Sequence, residues 1–530
     1  MKYVRHVSTR ITPQREPIPG SAQVPNSAGG YAYPVDDWVR LDRFLILGSE
    51  GGSYYAGERA LTRKNAEALL RCIKQDGLKA VARIREISHS GRAPRNDSAI
   101  FALAMAAKLG EEPTRKAAFA AVPDVARTST HLFQFAEAVQ AFGGWGRATT
   151  RAVAGWYERE KVGELAYQAV KYRQREGWTH GDLLRLSHPK APSAAHKELY
   201  AWIVDGVVPA DGEALRQIEG FEQLQKATAA VEAARLITEY KLPWETVPTE
   251  LRSSPEVWAA LLEEMPLTAM IRNLATMTRV DLVVPMSEAT RKVVGELKDR
   301  ERIRRARVHP MAILAALKTY EQGHGERGKH TWTPVQQVVD ALNEAFYLAF
   351  DNVEATGKRW LLGVDVSGSM SMGAVAGVAG MTPRVAAAAM TLVTAATEPQ
   401  HVVMAFQGSF VPLGISPRER LDDVVRKTNG LPFGRTDCAQ PMLYATERKL
   451  KVDVFVVYTD SETWYGQIHP VQALQQYRQK IGIPAKLIVQ AFVANPFSIA
   501  DPNDAGMLDV VGFDTAVPTL IRDFAVKLGG

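Results

Sequence analysis

The stretch "WLLGVDVSGSM", Trp360 to Met370, runs a line of apolar residues into one carboxylate and two hydroxyls at alternate positions, Asp365, Ser367 and Ser369. The apolar part reads as a strand buried on both faces. Similar runs follow it, in "HVVMAF", "VDVFVVYTD" and "AKLIVQAFVA", with helical segments between them such as "PRVAAAAMTLVTAAT", "PRERLDDVVRKT" and "HPVQALQQYRQKIG". Short apolar strands alternating with amphipathic helices specify a parallel, doubly wound α/β sheet. In such a sheet the functional loops follow the carboxyl ends of the strands.

Asp365, Ser367 and Ser369 fall just past the end of the first of these strands, where successive loop residues can turn oxygens toward one point. Two later strand ends or loops add Thr436, in "GRTD", and Asp460, ending "VVYTD". Five oxygen-bearing residues suit a hard divalent cation, Mg2+ first, because that ion takes oxygen ligands and keeps part of its water shell. A second reading of "DVSGS" alone is a polar turn that caps the next helix. The order of Thr436 and Asp460 along the chain favours the metal. The alanine-rich helix Pro383–Thr397 reads as core packing against the sheet, and no P-loop, dinucleotide fingerprint or nucleophile elbow occurs. With neither a base beside the candidate metal residues nor a second carboxylate cluster, hydrolysis of RNA at the ion is not expected.

Working back from this domain, the chain has 530 residues and is 46% hydrophobic, more than one domain usually holds. Its two cysteines, Cys72 and Cys438, stand far apart and outside any Cys/His cluster, so a disulfide framework and a zinc site are not expected and a reducing cytoplasm is. The first 30 residues lack an apolar signal core, and no stretch approaches the ~18 apolar residues of a membrane span, so neither secretion nor a membrane partner is expected. The net charge of +6 is uneven. Residues 351–530 carry 16 Lys and Arg against 17 Asp and Glu, and the first 350 carry 48 against 41. That excess is compatible with nucleic acid but equally with a solvated surface.

Residues 1–35 are Pro-, Gly- and Ser-rich and read as an extended arm. From 36 to 350 the pattern is helical. In "DSAIFALAMAAKLGEEP", Ile100, Leu103, Ala104 and Ala107 keep helical spacing, with Asp97 or Ser98 expected as N-cap and Gly110 and Pro113 as stops. Leu132, Phe135, Ala136 and Val139 repeat the arrangement. Such helix pairs fit a solenoid of HEAT type with repeats of about 40 residues, or an irregular all-α domain. Within this region "AVKYRQREGWTHGDLLRLSHPK" gathers Lys171, Arg173, Arg175, His180, Arg185, His188 and Lys190 around Trp178. Cations and imidazoles with an interleaved aromatic suit phosphate neutralisation and stacking on RNA. The other reading is a solvated helix face with Trp178 anchored in the core. The densest basic run, "DRERIRRARVHP", spreads its arginines over several helix faces, which signals exposure first.

"DVSGSM", "GRTDC" and "VVYTDSETW" resemble the metal-ion-dependent adhesion site of a von Willebrand factor A domain. The resemblance implies Mg2+ held by Asp365, Ser367, Ser369, Thr436 and Asp460, with one coordination position left for an acidic group on a ligand. Together with "GRAPRNDSAIFALAMAA" and the basic segment, the chain resembles the Ro autoantigen family, whose helical part is the TROVE module. Three parts are then expected: an arm at 1–35, an all-α HEAT-like TROVE RNA-binding domain at 36–350, and an A-like domain at 358–530. The family's fold implies that the repeats close into a ring whose ends the A domain bridges. It also implies a noncatalytic RNA-binding protein that takes Y RNA on its outer surface and single-stranded 3′ ends of misfolded or immature noncoding RNA in a central hole. Bacterial relatives work with a 3′ exoribonuclease such as polynucleotide phosphorylase. Lys171, Arg175 and His188 match the family's Y RNA contacts by position. Arg435, directly before Thr436, departs from the small residue related sequences tend to have. An alternative is a Mg2+-dependent protein-interaction scaffold without a primary RNA role.

Overall fold

The computed structural model describes residues 11–47, 58–90, 96–158, 161–209, 212–325, 330–373, 375, 378, 381–406, 409–431, 434–492, 497–513 and 517–526. Residues 1–10 of the expected arm and residues 91–95 of "GRAPRN" lie outside them. The described residues fall into two compact units: one from 1–66, 307–318 and 346–530, the other from 67–306 and 319–345.

In chain order the strands are β1 (Val24–Pro25), β2 (Tyr31–Pro34), β3 (Gln174–Arg175), β4 (Trp178–Thr179), β5 (Trp360–Asp365), β6 (His401–Phe406), β7 (Phe410–Pro412), β8 (Val454–Tyr458), β9 (Lys486–Ala491), β10 (Phe497–Ser498) and β11 (Met507–Val511). The first unit is built on a six-stranded sheet of order β11-β9-β8-β5-β6-β7. All its pairings are parallel except β6 with β7. The parallel sheet expected from the sequence is therefore mixed, with an antiparallel edge that the three-residue β7 was too short to announce. All six residues of β5 are buried. The chain leaves β5 toward β6 on one side, and β8 toward β9 on the other, so the strand order reverses between β5 and β8. That reversal opens a crevice at the carboxyl ends of these two strands, the usual ligand position in such sheets. Asp365 and Asp460 stand at or just beyond those ends.

Helices cover both faces of the sheet. On one, Leu361, Phe455, Val457 and Val489 pack with Met442, Leu474 and Tyr477 from the helices Gln440–Glu447 and Pro470–Ile481. On the other lies the helix Pro383–Thr397, capped by Thr382, whose hydroxyl accepts Val385 N–H, and buried along most of its length. The described part of the arm belongs to this unit. β2 pairs with β10, and Arg43, from the helix Asp37–Leu47, donates Nη2–H to Asp509 of β11 at 2.8 Å.

The second unit is helical. Asp97–Leu109 packs against Ser129–Ala141, burying Ile100, Leu103, Ala104 and Ala107 on one side and Leu132, Phe135, Ala136 and Val139 on the other. Two local expectations change. Asn96 is the N-cap, with Asp97 already in the first turn, and Pro113 does not stop a helix but opens the next, Glu112–Ala120. The proline suits that place because a first-turn N–H has no intrahelical acceptor. Within the basic segment β3 and β4 form a short antiparallel hairpin turned by Glu176 and Gly177, both at positive φ.

Gly363 shows how tightly the sheet is covered, since a Cβ there would lie 2.7 Å from Pro441 Cγ and 3.5 Å from the Phe406 ring. Gly363→Ala should cost about 1–3 kcal/mol, as overpacking does in a filled core. Urea unfolding should show a lower midpoint with an unchanged slope. An unchanged midpoint would mean that the helix carrying Pro441 yields instead.

Candidate metal centre and basic hairpin

Asp365 ends β5 with no exposed surface. Its Oδ1 accepts Ser367 N–H at 2.8 Å and its Oδ2 accepts the Thr459 hydroxyl at 2.7 Å. Ser367 and Ser369 bring their hydroxyls within 3.1 Å of each other, and Ser369 is hydrogen-bonded to Asp460. Asp460 in turn accepts Glu462 N–H at 3.1 Å. Thr436 is buried and tied to the same place through its backbone, its carbonyl accepting the N–H groups of Trp464 and Tyr465 at 3.1 and 3.2 Å. Four of the five expected residues thus meet through side chains, and the fifth is fixed by the loop that carries Asp460.

This donor set fits a hard divalent ion. Burial raises the pKa of Asp365, and the nearby Asp460 raises it further. Burial likewise raises that of Asp460. Glu462, also buried and close to Asp460, is pushed up to about 8. Clustered carboxylates out of water cost free energy unless a cation offsets them. Mg2+ there would be held by Asp365, Ser367, Ser369, Thr436 and Asp460, and it would supply a positive centre for an acidic ligand.

Several residues that position these oxygens were not legible. Arg384, fully buried in the alanine-rich helix, donates Nη2–H to the carbonyls of Val366 and Ser367 at 3.0 and 2.9 Å and Nη1–H to that of Thr428 at 3.0 Å. The helix expected only to pack against the sheet therefore also clamps the Asp365 loop. From the arm, Gln14 Nε2 donates to Asp437 at 2.7 Å and to the Ile468 carbonyl at 2.8 Å, while its Oε1 accepts the Thr463 hydroxyl. Asn26 Nδ2 donates to the Thr463 carbonyl at 2.7 Å, and Ala28 N–H donates to Glu462 at 3.0 Å. At the rim, the guanidinium of Arg435 lies 4.6 Å from the centre of the Tyr465 ring, and that of Arg15 lies 4.8 Å from the centre of the Trp464 ring.

The basic segment is assembled differently. Arg173 stacks over Phe221 at 4.9 Å and Trp202 at 5.5 Å. Arg185 donates to the Val204 carbonyl at 3.0 Å, and the two arginines line a hollow of about 400 Å3. Arg175, on the hairpin, pairs with Glu176 at 3.1 Å, and half-buried Lys171 reaches Glu245 at 3.4 Å. His188 is exposed and left-handed, at the C-cap of the helix His180–Ser187. Trp178 is half-buried and stacks on Trp145, with ring centroids 5.7 Å apart.

His180 must leave the expected RNA-contacting set. It is 4% exposed, hydrogen-bonded through Nδ1 to the Tyr157 hydroxyl at 2.7 Å and packed edge-on against Phe133. The Thr179–Asp182 capping box starts its helix at this residue. Burial pulls its pKa down to about 3, so it is a neutral core residue near pH 7. An unfolded histidine titrates near 6.5, so below that pH the unfolded chain takes a proton that folded His180 refuses. The resulting stability is complete above 6.5 and falls by about 1.4 kcal/mol per pH unit as the pH drops toward the folded value. Comparing urea unfolding of wild type and His180→Gln between pH 6 and 5 should show the steeper loss in the wild type. Parallel losses would contradict the buried, neutral assignment.

Comparison with known proteins agrees with the two domain types of this fold. The model of the Ro60 vWA domain matches residues 359–525, and that of the TROVE domain matches residues 24–209 and 233–319. The RNA-binding protein RO60 of Deinococcus radiodurans is 46% identical across 98% of both chains. RNA-binding protein RO60 of Caenorhabditis elegans is 35% identical, over 97% of this chain and 92% of the relative. The crystal structure of the Deinococcus radiodurans Ro protein superposes with a TM-score of 0.75 at 47% identity, covering 93% of this chain and 99% of that one. With both domain types matched and near-complete coverage in each relative, the chain belongs to the Ro family of TROVE and vWA-domain proteins.

Proposed function

We propose that this chain is a noncatalytic RNA-binding protein. In this reading it holds a folded Y-type RNA on the outer basic surface around the β3–β4 hairpin. Single-stranded 3′ ends of misfolded or immature noncoding RNA enter a hole framed by HEAT-like helical repeats. It acts in the cytoplasm, in RNA quality control, maturation or decay, alongside a 3′ exoribonuclease such as polynucleotide phosphorylase. The observation that carries the reading is the full-length likeness to relatives named as RNA-binding proteins. The exposed cations Arg173, Arg175 and Arg185 and the exposed imidazole of His188 give it candidate contacts, beside half-buried Lys171. Among the described residues no helix is long and apolar enough to cross a membrane.

The metal site has a separate role in this proposal. Mg2+ at Asp365, Ser367, Ser369, Thr436 and Asp460 takes an acidic group of a protein ligand. Arg435 and Arg15, each held on an aromatic ring at the rim, suit further negative charge on that ligand.

Two substitutions separate the roles. Arg175→Ala should weaken a folded scaffold RNA several-fold at 0.15 M salt and lower its salt slope by about 1, with a smaller effect on a bare single-stranded tail. Equal losses on both RNAs, read by gel shift, would remove the hairpin from the outer-surface assignment. Asp365→Ala should abolish the thermal stabilisation conferred by Mg2+ and leave RNA affinity unchanged. Stabilisation by Mg2+ that survives in the variant would contradict the metal assignment.

A further inference from the structure

The helices Glu112–Ala120 and Arg147–Tyr157 lie against each other in the helical unit and leave a groove of about 500 Å3 between them. It shares no residue with the hollow beside the basic hairpin. Phe119, Ala152 and Gly155 contribute apolar surface, and Arg115, Lys116 and Arg151 contribute cations. Lys116 reaches Glu112 at 2.7 Å, so one carboxylate faces three basic side chains and the groove keeps a positive excess. Phe119 is half-buried, its ring set edge-to-face against the fully buried Phe135 with centroids 6.4 Å apart. The core therefore holds that ring in place.

Gly155 adds an independent observation. Glycine is a poor helix former, yet Gly155 sits inside a helix, without positive φ, where a Cβ would meet nothing within 4 Å. Neither a turn nor close packing within the described residues calls for a glycine. Gly155 is exposed and lines the groove, so a side chain there would project into space that is now open.

An open aromatic floor with guanidinium groups beside it matches an unpaired nucleotide, whose base stacks and whose phosphates are neutralised. The volume lies in the range of small-ligand pockets. An acidic peptide would use the cations but not the aromatic floor. We propose that this groove is a second RNA contact, taking one unpaired nucleotide of a single-stranded segment with its base against Phe119 and its flanking phosphates at Arg115 and Arg151. The proposal rests on the RNA-binding reading above and assigns it a new subsite.

The test uses the full chain and a fluorescein-labelled uridine decamer, followed by anisotropy, with a folded scaffold RNA and a glutamate decamer as further probes. Arg151→Gln should weaken the uridine decamer about five- to tenfold and lower its salt slope by about 1, leaving the folded RNA within twofold. Gly155→Ala should raise the melting temperature by about 2 °C while weakening the decamer, and Gly155→Leu should weaken it further. Stabilisation coupled to lost binding is an outcome that a purely structural glycine would not give. If wild type binds the decamer and none of the three variants changes its affinity, the groove is not an RNA site although the RNA reading stands. If wild type binds neither RNA, that reading fails and this subsite with it. Binding of the glutamate decamer that depends on Arg151 and Gly155, with uridine binding unaffected, would make the groove a protein-binding site and overturn the proposal.

Discussion

Asp365 is a carboxylate at the end of the central strand, wholly out of water, with both oxygens committed, one to Ser367 N–H and one to the Thr459 hydroxyl. Such a group is tolerated only where its surroundings supply donors or positive charge. Here the backbone of its own loop and the neighbouring strand end supply donors, and Arg384 holds the loop by its carbonyls. Asp460 and Glu462, also buried, raise the demand for positive charge beyond what these contacts meet. A divalent ion would answer that demand, and the reversal of strand order between β5 and β8 places the candidate ligands at a crevice.

The same constraint explains why the first unit draws on the beginning of the chain. The loop from Thr459 to Gly466 carries Asp460 and is not part of the sheet. Gln14, Asn26 and Ala28 hydrogen-bond to it or to its neighbours, and a Cβ on Gly30 would collide with the Thr463 carbonyl. Arm and loop are thus packed backbone to backbone, and the arm is a structural wall of the candidate metal centre.

Much of this was legible in the sequence where signals were local. The apolar runs of β5, β6, β8 and β9 are strong enough to read singly, and alternate oxygens after β5 announce a loop that converges on one point. The four candidate metal-site side chains that meet do so because they end or follow the adjacent strands β5 and β8. What escaped depended on distant partners. β11 contains Asp509, a charge that makes "MLDVV" read poorly as a strand until Arg43 is seen beside it. Arg384 is the one charge in an alanine-rich helix, and its three carbonyl acceptors lie 17 to 44 positions away. His180 stood among cations in sequence, but Tyr157, 23 residues earlier, receives it in the core. Charge near in sequence was read as charge near in space, and burial decided otherwise.

The account's central claim is that RNA recognition belongs to the helical unit and does not pass through the metal centre. A competition gel shift tests it most directly, using a duplex with a single-stranded 3′ tail, the same duplex blunt, and a folded scaffold RNA, each with and without EDTA. The account predicts that the tailed duplex binds in preference to the blunt one, that EDTA leaves this preference intact, and that the scaffold RNA competes with it. No preference for the tail, or a preference that disappears with EDTA, would contradict it.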